Sequence, residues 1–171
     1  MATRPAHVLR INALELLRTP GSQRDVDVEL DPSDLGIDDN RITGLTRVRV
    51  TATSSIDGIV VQGLIETPWQ TLCRRCLAEA SGVIAVDVDE MYQRDVTDDE
   101  AFEIVGDQID MAPAVREYIM IELPDGPLCR PDCAGICPTC GNDRNLEPCT
   151  CDNAVSDHRW AALDQLRLDD P

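Results

Sequence analysis

The chain of 171 residues carries a formal net charge of −17, and only 3% of its residues are aromatic. A chain this acidic cannot wrap nucleic acid by general counterion release, so any RNA contact must use a local basic patch or a basic protein partner. No apolar run approaches the roughly 18 residues that a membrane helix needs. The N-terminus lacks the apolar segment of a secretory signal, so we expect a cytoplasmic protein that does not contact a membrane.

The first ninety residues predict an antiparallel sheet. A short apolar segment covers residues 7–17, and residues 24–30 then alternate between apolar and acidic side chains, as a half-buried strand does. A polar connection is expected at 31–40 and a second strand at 45–53. Asp57-Gly58 favours a hairpin turn into a third strand at 59–67, and residues 82–90 supply a fourth.

The second half of the chain predicts one main helix and a cysteine-rich tail. Residues 87–110 hold ten acids and one arginine and are expected to form a mobile acidic connection. Asp110 is a candidate N-cap for an amphipathic helix whose apolar residues recur every four positions: Met111, Val115, Ile119 and Leu123. We therefore expect an α+β domain at 1–127 with a meander-like antiparallel sheet. The zinc-binding tail at 128–171 would end in a short helix near 157–168.

The eight cysteines fall into four close pairs: Cys73 and Cys76, Cys129 and Cys133, Cys137 and Cys140, and Cys149 and Cys151. Such short spacing lets two thiolates from one turn reach a single tetrahedral ion at about 2.3 Å. The last two pairs lie close enough in sequence to form one local zinc site. The first two pairs are then left for a second site, which would close a long loop between the sheet and the tail. Two zinc ions per chain are expected, although the exact partition of the eight cysteines stays open.

The cysteine pairs have alternatives to zinc binding. A disulfide framework needs an oxidising compartment, and a thioredoxin-like motif needs a βαβ context. An iron–sulfur cluster stays an alternative, because four thiolates also serve iron. A catalytic zinc site would use histidine or carboxylate ligands and keep an open position, but His7 and His158 are isolated. With no nucleotide-binding or nucleophile motif either, we expect neither an enzyme nor a small-molecule substrate.

The order of these motifs resembles the bacterial YceD family of large ribosomal RNA subunit accumulation proteins. The matching stretches fall within residues 7–152: Leu72-Cys73-Arg74-Arg75-Cys76-Leu77, Ile109-Asp110-Met111, Glu122-Leu123-Pro124, Pro127-Leu128-Cys129-Arg130-Pro131-Asp132-Cys133, Gly135-Ile136-Cys137-Pro138-Thr139-Cys140-Gly141 and the final Cys149-x-Cys151. The resemblance implies a non-enzymatic factor that supports accumulation of 23S ribosomal RNA and 50S assembly. Its partners would be a pre-50S particle, large-subunit rRNA or a basic ribosomal protein.

Three hypotheses for the activity follow. A zinc-stabilised assembly factor would contact RNA or a partner through Arg74 and Arg75 at the first cysteine pair, with Arg47 and Arg49 on a nearby strand. An acidic holder would bind a basic ribosomal protein through residues 87–110. A zinc–thiol redox switch would release its metal on oxidation. The alternative interpretation of the four arginines is ordinary surface charge, and it is the one that we favour.

Overall fold

The computed structural model describes residues 7–96 and 101–151 together with residue 159. Short 3-10 helices cover His7–Leu9 and Pro32–Leu35. The strands and α-helices of the described residues are β1 (Arg10–Asn12), α1 (Ala13–Leu17), β2 (Gln23–Leu30), β3 (Thr46–Ser54), β4 (Ile59–Leu72), β5 (Glu79–Gln93), β6 (Phe102–Glu103), β7 (Gln108–Asp110) and α2 (Ala112–Glu122). None of these helices is long and apolar enough to cross a bilayer.

The main sheet is a meander in which β2, β3, β4 and β5 pair antiparallel in chain order, and β6 adds to β5 in parallel. A separate two-stranded sheet joins β1 to β7. The hairpin predicted at Asp57-Gly58 connects β3 to β4, where Ser55 donates to the carbonyl of Gly58. The antiparallel meander and the single main helix predicted from the sequence are thus confirmed.

The period-two pattern places one face of each strand in the core. Val48, Val50 and Ala52 of β3 are buried, and so are Ile84 and Val88 of β5. At the end of the β3–β4 pairing, two fully buried hydroxyls meet: Thr46 Oγ1 and Thr67 Oγ1 lie 3.0 Å apart. This bond satisfies both polar groups inside the core.

The main helix, α2, covers the inner face of the sheet with the apolar stripe that its sequence predicts. The four residues Met111, Val115, Ile119 and Leu123 are all buried in the main core. Met111 stands at the N-cap position without a side-chain cap, and Asp110 Oδ1 instead accepts from the amide of Ala112 at 3.1 Å. Asp110 therefore satisfies the first free amide from one residue before the cap position.

The expectation of an acidic connection over 87–110 differs from the structure. Strand β5 continues to Gln93, and β6 and β7 lie farther along the same stretch. The acids Asp87 and Asp89 point outward while Val88 and Tyr92 are buried. Alternation with buried neighbours is therefore enough to hold an acidic segment in a sheet, because the carboxylates stay in solvent.

Smaller differences affect the ends of elements. The apolar segment at 7–17 forms a 3-10 turn, a strand and a short helix, and the connection at 31–40 contains a 3-10 turn with Leu35 buried. Strand β4 runs five residues beyond the expected end, to Leu72. The terminal helix expected at 157–168 lies outside the described residues apart from residue 159, and the domain boundary after residue 127 stays a prediction.

Candidate metal centres

The first cysteine pair lies in a tight turn that joins β4 to β5. Cys73 directly follows Leu72, the last residue of β4, and its amide donates to the carbonyl of Ala78 at 2.7 Å. Leu77 adopts a left-handed φ of 61° and donates to the carbonyl of Cys73. The amide of Arg75 points at Cys73 Sγ from 3.4 Å. The turn thus forms a knuckle, in which a backbone amide is already directed at a sulfur atom.

The second cysteine pair reaches this knuckle from the segment after α2. The amide of Arg74 donates to the carbonyl of Pro127 at 3.1 Å, and the amide of Ile136 donates to the carbonyl of Arg75 at 2.9 Å. The Arg75 guanidinium donates through Nη1 to the carbonyl of Cys133 at 2.9 Å. Three hydrogen bonds therefore attach the tail to the tip of the β4–β5 hairpin, independently of any metal.

Together these two pairs form the first site, in which all four sulfur atoms lie within 4.8 Å of one another. Cys73 Sγ lies 3.8 Å from Cys133 Sγ, and Cys76 Sγ lies 3.5 Å from Cys129 Sγ. Four Zn–S bonds of 2.3 Å at tetrahedral angles separate the sulfurs by about 3.8 Å. Cys73 and Cys133 are almost completely buried. The geometry fits a closed, four-sulfur metal site.

The second site contains the other four cysteines, whose sulfur atoms also lie within 4.8 Å of one another. The amide of Cys137 donates to the carbonyl of Asn142 at 2.8 Å, and Gly141 donates back to the carbonyl of Cys137. Gly141 has a φ of 78°, a conformation that glycine adopts without strain. Cys137 is buried but Cys140 is exposed. This site is thus a second four-sulfur cluster, and it is more open to solvent than the first.

In each cluster the surroundings stabilise the thiolate form of one cysteine and lower its pKa. Burial raises the pKa of Cys73, but backbone donors, the amide of Arg75 foremost among them, outweigh burial and bring the pKa to about 6. Neighbouring amides likewise lower the pKa of Cys137 to about 6. Hydrogen bonds to a neighbouring sulfur raise the pKa of Cys129 and of Cys151 to about 12. A bound dication would stabilise all four thiolates, so metal binding would release protons.

Asn145 connects the two sites, and no motif in the sequence marks it. It lies between the two cysteine pairs of the second site, yet its Nδ2 lies 3.5 Å from Cys133 Sγ of the first. Its Oδ1 accepts from the amide of Ala134 and from Arg130 Nη2, both at 2.8 Å. Nothing in the spacing of the chain distinguishes this asparagine, because its role depends on the folded position of Cys133.

Arg47 and Arg49 do not join the first site. Arg47 pairs with Asp27, and Arg49 pairs with Glu66 on the neighbouring strand. The Arg47 guanidinium hydrogen-bonds to Asp27 and lowers the pKa of that carboxyl. In the register of the sheet Arg47 lies opposite Glu66, which is about 23 Å from Cys73 along the line of β4 at 3.3 Å per residue. The four candidate arginines therefore do not form one basic patch.

Arg74 and Arg75 both lie in the first knuckle and have exposed side chains, but they differ in their contacts. The Arg75 side chain already holds the Cys133 carbonyl. The Arg74 side chain lies beside Gly126, and no hydrogen bond is assigned to its guanidinium among the described residues. Arg74 is thus the candidate contact residue that can be changed with the least effect on the metal site.

Comparison with known proteins identifies the family. The sequence model described as "Large ribosomal RNA subunit accumulation protein YceD" matches residues 61–167. Uncharacterized proteins of Mycobacterium bovis and Mycobacterium tuberculosis are each 31% identical to the chain over 174 residues, covering 94% of this chain and 82% of the relative. A protein of Mycobacterium leprae is 30% identical over 123 residues, covering 67% of this chain and 56% of the relative. No solved structure matches the chain.

The matched range is more than half of the chain, and it includes all eight cysteines of the two clusters. The resemblance first drawn from the order of the cysteine motifs is therefore confirmed, and the chain belongs to the YceD family.

Proposed function

We propose that the chain is a non-enzymatic, zinc-stabilised cytoplasmic factor that supports accumulation of 23S ribosomal RNA and assembly of the 50S subunit. The observation that carries this proposal is the family match, since the family is described by accumulation of the large ribosomal RNA subunit. Its immediate partner would be a pre-50S particle, large-subunit rRNA or a basic ribosomal protein.

Zinc fits both clusters by the chemistry of the donor set. Cys73, Cys76, Cys129 and Cys133 would hold one ion and the remaining four cysteines another. Zinc prefers four tetrahedral thiolates in structural sites, and such a set leaves no open position for water or substrate. Bound zinc would therefore cross-link segments of the chain without taking part in a reaction.

Elemental analysis of protein isolated under reducing conditions tests the metal. We expect close to two zinc ions per chain, and about one after Cys73→Ser or after Cys137→Ser. A Ser22→Ala variant, changed far from both clusters in sequence, serves as the control and should retain both ions. Iron with visible absorbance, or no zinc at all, would contradict the zinc assignment.

Depletion of the protein in its own cells tests the role in assembly. We expect the ratio of mature large-subunit rRNA to small-subunit rRNA to fall, and pre-50S particles to accumulate on sucrose gradients. Wild-type protein should restore the ratio, and a Cys133→Ser variant should not. Normal subunit ratios in fully depleted cells would contradict the proposed function.

A single substitution, Arg74→Glu, tests the knuckle as a contact surface. Changing Arg75 as well would confuse the result, because its side chain supports Cys133. If the knuckle contacts a phosphate or an acidic group, Arg74→Glu should lower association with pre-50S particles while both zinc ions stay bound. Unchanged association would show that Arg74 is ordinary surface charge.

A further inference from the structure

The main sheet has one face covered by the core and another that faces solvent in the described part of the chain. The solvent side, called here the outer face, consists of the odd-numbered residues of β2, β3 and β5 and the even-numbered residues of β4. The inner face is buried beneath α2 and the N-terminal elements. A sheet face that none of the described residues covers is a candidate for docking.

The outer face is strongly acidic. It carries seven carboxylates and two arginines in the registered strands, with acids on β2 at positions 25, 27 and 29 and on β5 at positions 79, 87 and 89. Both arginines are already paired, Arg47 with Asp27 and Arg49 with Glu66. Asp87 forms no ion pair with any described cation. The field of this face therefore attracts cations and repels phosphate.

Exposed apolar side chains lie among the acids on β4 and β5. Val83 of β5 is 61% exposed and stands opposite Pro68 of β4 in the register of the sheet. Leu72, at the end of β4 next to the first knuckle, is 59% exposed. Leu64 is half-buried on the same face, opposite Asp87. The outer face thus combines an apolar column along β4 and β5, formed by Leu64, Pro68, Leu72 and Val83, with carboxylates on β2 and on β5 itself.

We infer that the outer face docks an amphipathic, cationic segment of a partner protein, with apolar side chains on the β4–β5 column and Lys or Arg beside the acids of β2 and β5. An RNA strand would place phosphates against unpaired carboxylates and would find both arginines engaged, so a protein partner fits this surface better. The inference takes its biological setting from the proposed function, because it names how the chain engages an assembling particle. Binding to the outer face is tested on purified protein, without the assembling particle.

The probe is a synthetic helical peptide of leucine and lysine with one apolar face, titrated against the full metal-loaded chain by fluorescence anisotropy. Asp87→Lys with Asp89→Lys should weaken binding by at least about tenfold, because both charges face the docked cations. Glu117→Lys with Glu122→Lys, on exposed positions of α2, makes the same change of net charge on the other side of the molecule. This control pair should change the affinity by no more than about twofold.

A charge-neutral change isolates the apolar column. Val83→Ser should weaken peptide binding by roughly fivefold while leaving zinc content and thermal stability close to those of the wild type, because Val83 is exposed. Amide chemical shifts should move on β4 and β5 and not on α2 when the peptide is added. These readings hold for folded variants only, so circular dichroism and zinc content accompany each titration.

Two results would overturn the inference. Equal losses from the β5 pair and the α2 pair would show that net charge alone attracts the peptide. Tighter binding of a short single-stranded RNA than of the peptide, abolished by Arg47→Glu with Arg49→Glu, would assign the face to RNA. Both results come from purified protein, whereas the proposed function is tested by an rRNA ratio in cells. The absence of docking on the outer face is therefore distinguishable from failure of the proposed function.

Discussion

Asn145 and Cys133 join the two cysteine clusters, with Asn145 Nδ2 located 3.5 Å from Cys133 Sγ. Asn145 belongs to the loop of the second site, whereas Cys133 belongs to the first. A donor directed at a metal-bound thiolate lowers the charge that the sulfur must carry and orients it. Metal retention in the first site is therefore expected to depend on a residue from the loop of the second.

Replacing this asparagine tests the connection. We expect Asn145→Ala to weaken metal binding at the first site by about tenfold, a loss typical of removing an outer hydrogen bond to a ligand. Competition with a chelator, followed by zinc release, measures the effect. Arg144→Ala is the matched control, because Arg144 is exposed and bonds to Gly135 through its backbone amide, with no side-chain hydrogen bond to the described residues. Identical release from both variants would contradict a role for the Asn145 side chain.

The two sites should differ in their contribution to stability. The first closes a loop of some sixty residues, since Cys73 and Cys133 are 60 positions apart. By analogy with a covalent cross-link of that length, Cys73→Ser should lower the free energy of unfolding by roughly 4 kcal/mol. Cys137→Ser should loosen the tail and leave the unfolding transition of the sheet nearly unchanged.

Denaturant unfolding followed by circular dichroism measures this difference, and elemental analysis shows which ion each variant has lost. Cys133→Ser and Cys149→Ser provide an independent replicate for each site. Equal destabilisation by all four changes would indicate that the two sites unfold as one unit.

Oxidation should attack the second site first. Three cysteines of the first site are buried and Cys129 alone is exposed, whereas in the second site Cys137 alone is buried. Hydrogen peroxide reaches exposed thiolates faster, and conversion to a disulfide removes two ligands and frees the ion. We expect two phases of zinc release, detected with a colorimetric zinc indicator, and the fast phase should be missing in Cys137→Ser. A single phase in the wild type would rule out this order.

The buried hydroxyl pair tests the sheet itself. Thr67→Val should destabilise the chain by about 1–3 kcal/mol, because it leaves Thr46 Oγ1 buried without its partner. Thr46→Val with Thr67→Val removes both polar groups and should recover most of that loss. Urea unfolding of Thr46→Val, Thr67→Val and the double variant measures the coupling energy between the two hydroxyls. Additive losses would show that the hydroxyls do not interact in solution.

Much of the fold could be predicted from local pattern. Alternation along 24–30 and 45–53 predicts strands with a defined inner face, and Asp57-Gly58 fixes the hairpin between β3 and β4. The helix after Asp110 follows from its four-residue apolar period. Each of these depends on neighbours in sequence, since side-chain direction repeats with the backbone. The alternation of the strand predicted at 82–90 extends to Tyr92, but the acidic composition around that residue concealed the extension.

The cysteine spacing by itself determined which residues could hold metal, because two thiolates from one turn reach one ion whatever the rest of the chain does. Only the tertiary structure brought Cys73 and Cys76 to Cys129 and Cys133, since loop closure over more than fifty residues depends on where α2 packs. Long-range contacts also determined which arginines are already bound to other groups of the chain. Arg47 and Arg49 are engaged by acids on adjacent strands, and Arg75 supports Cys133, because cross-strand register places those partners opposite them.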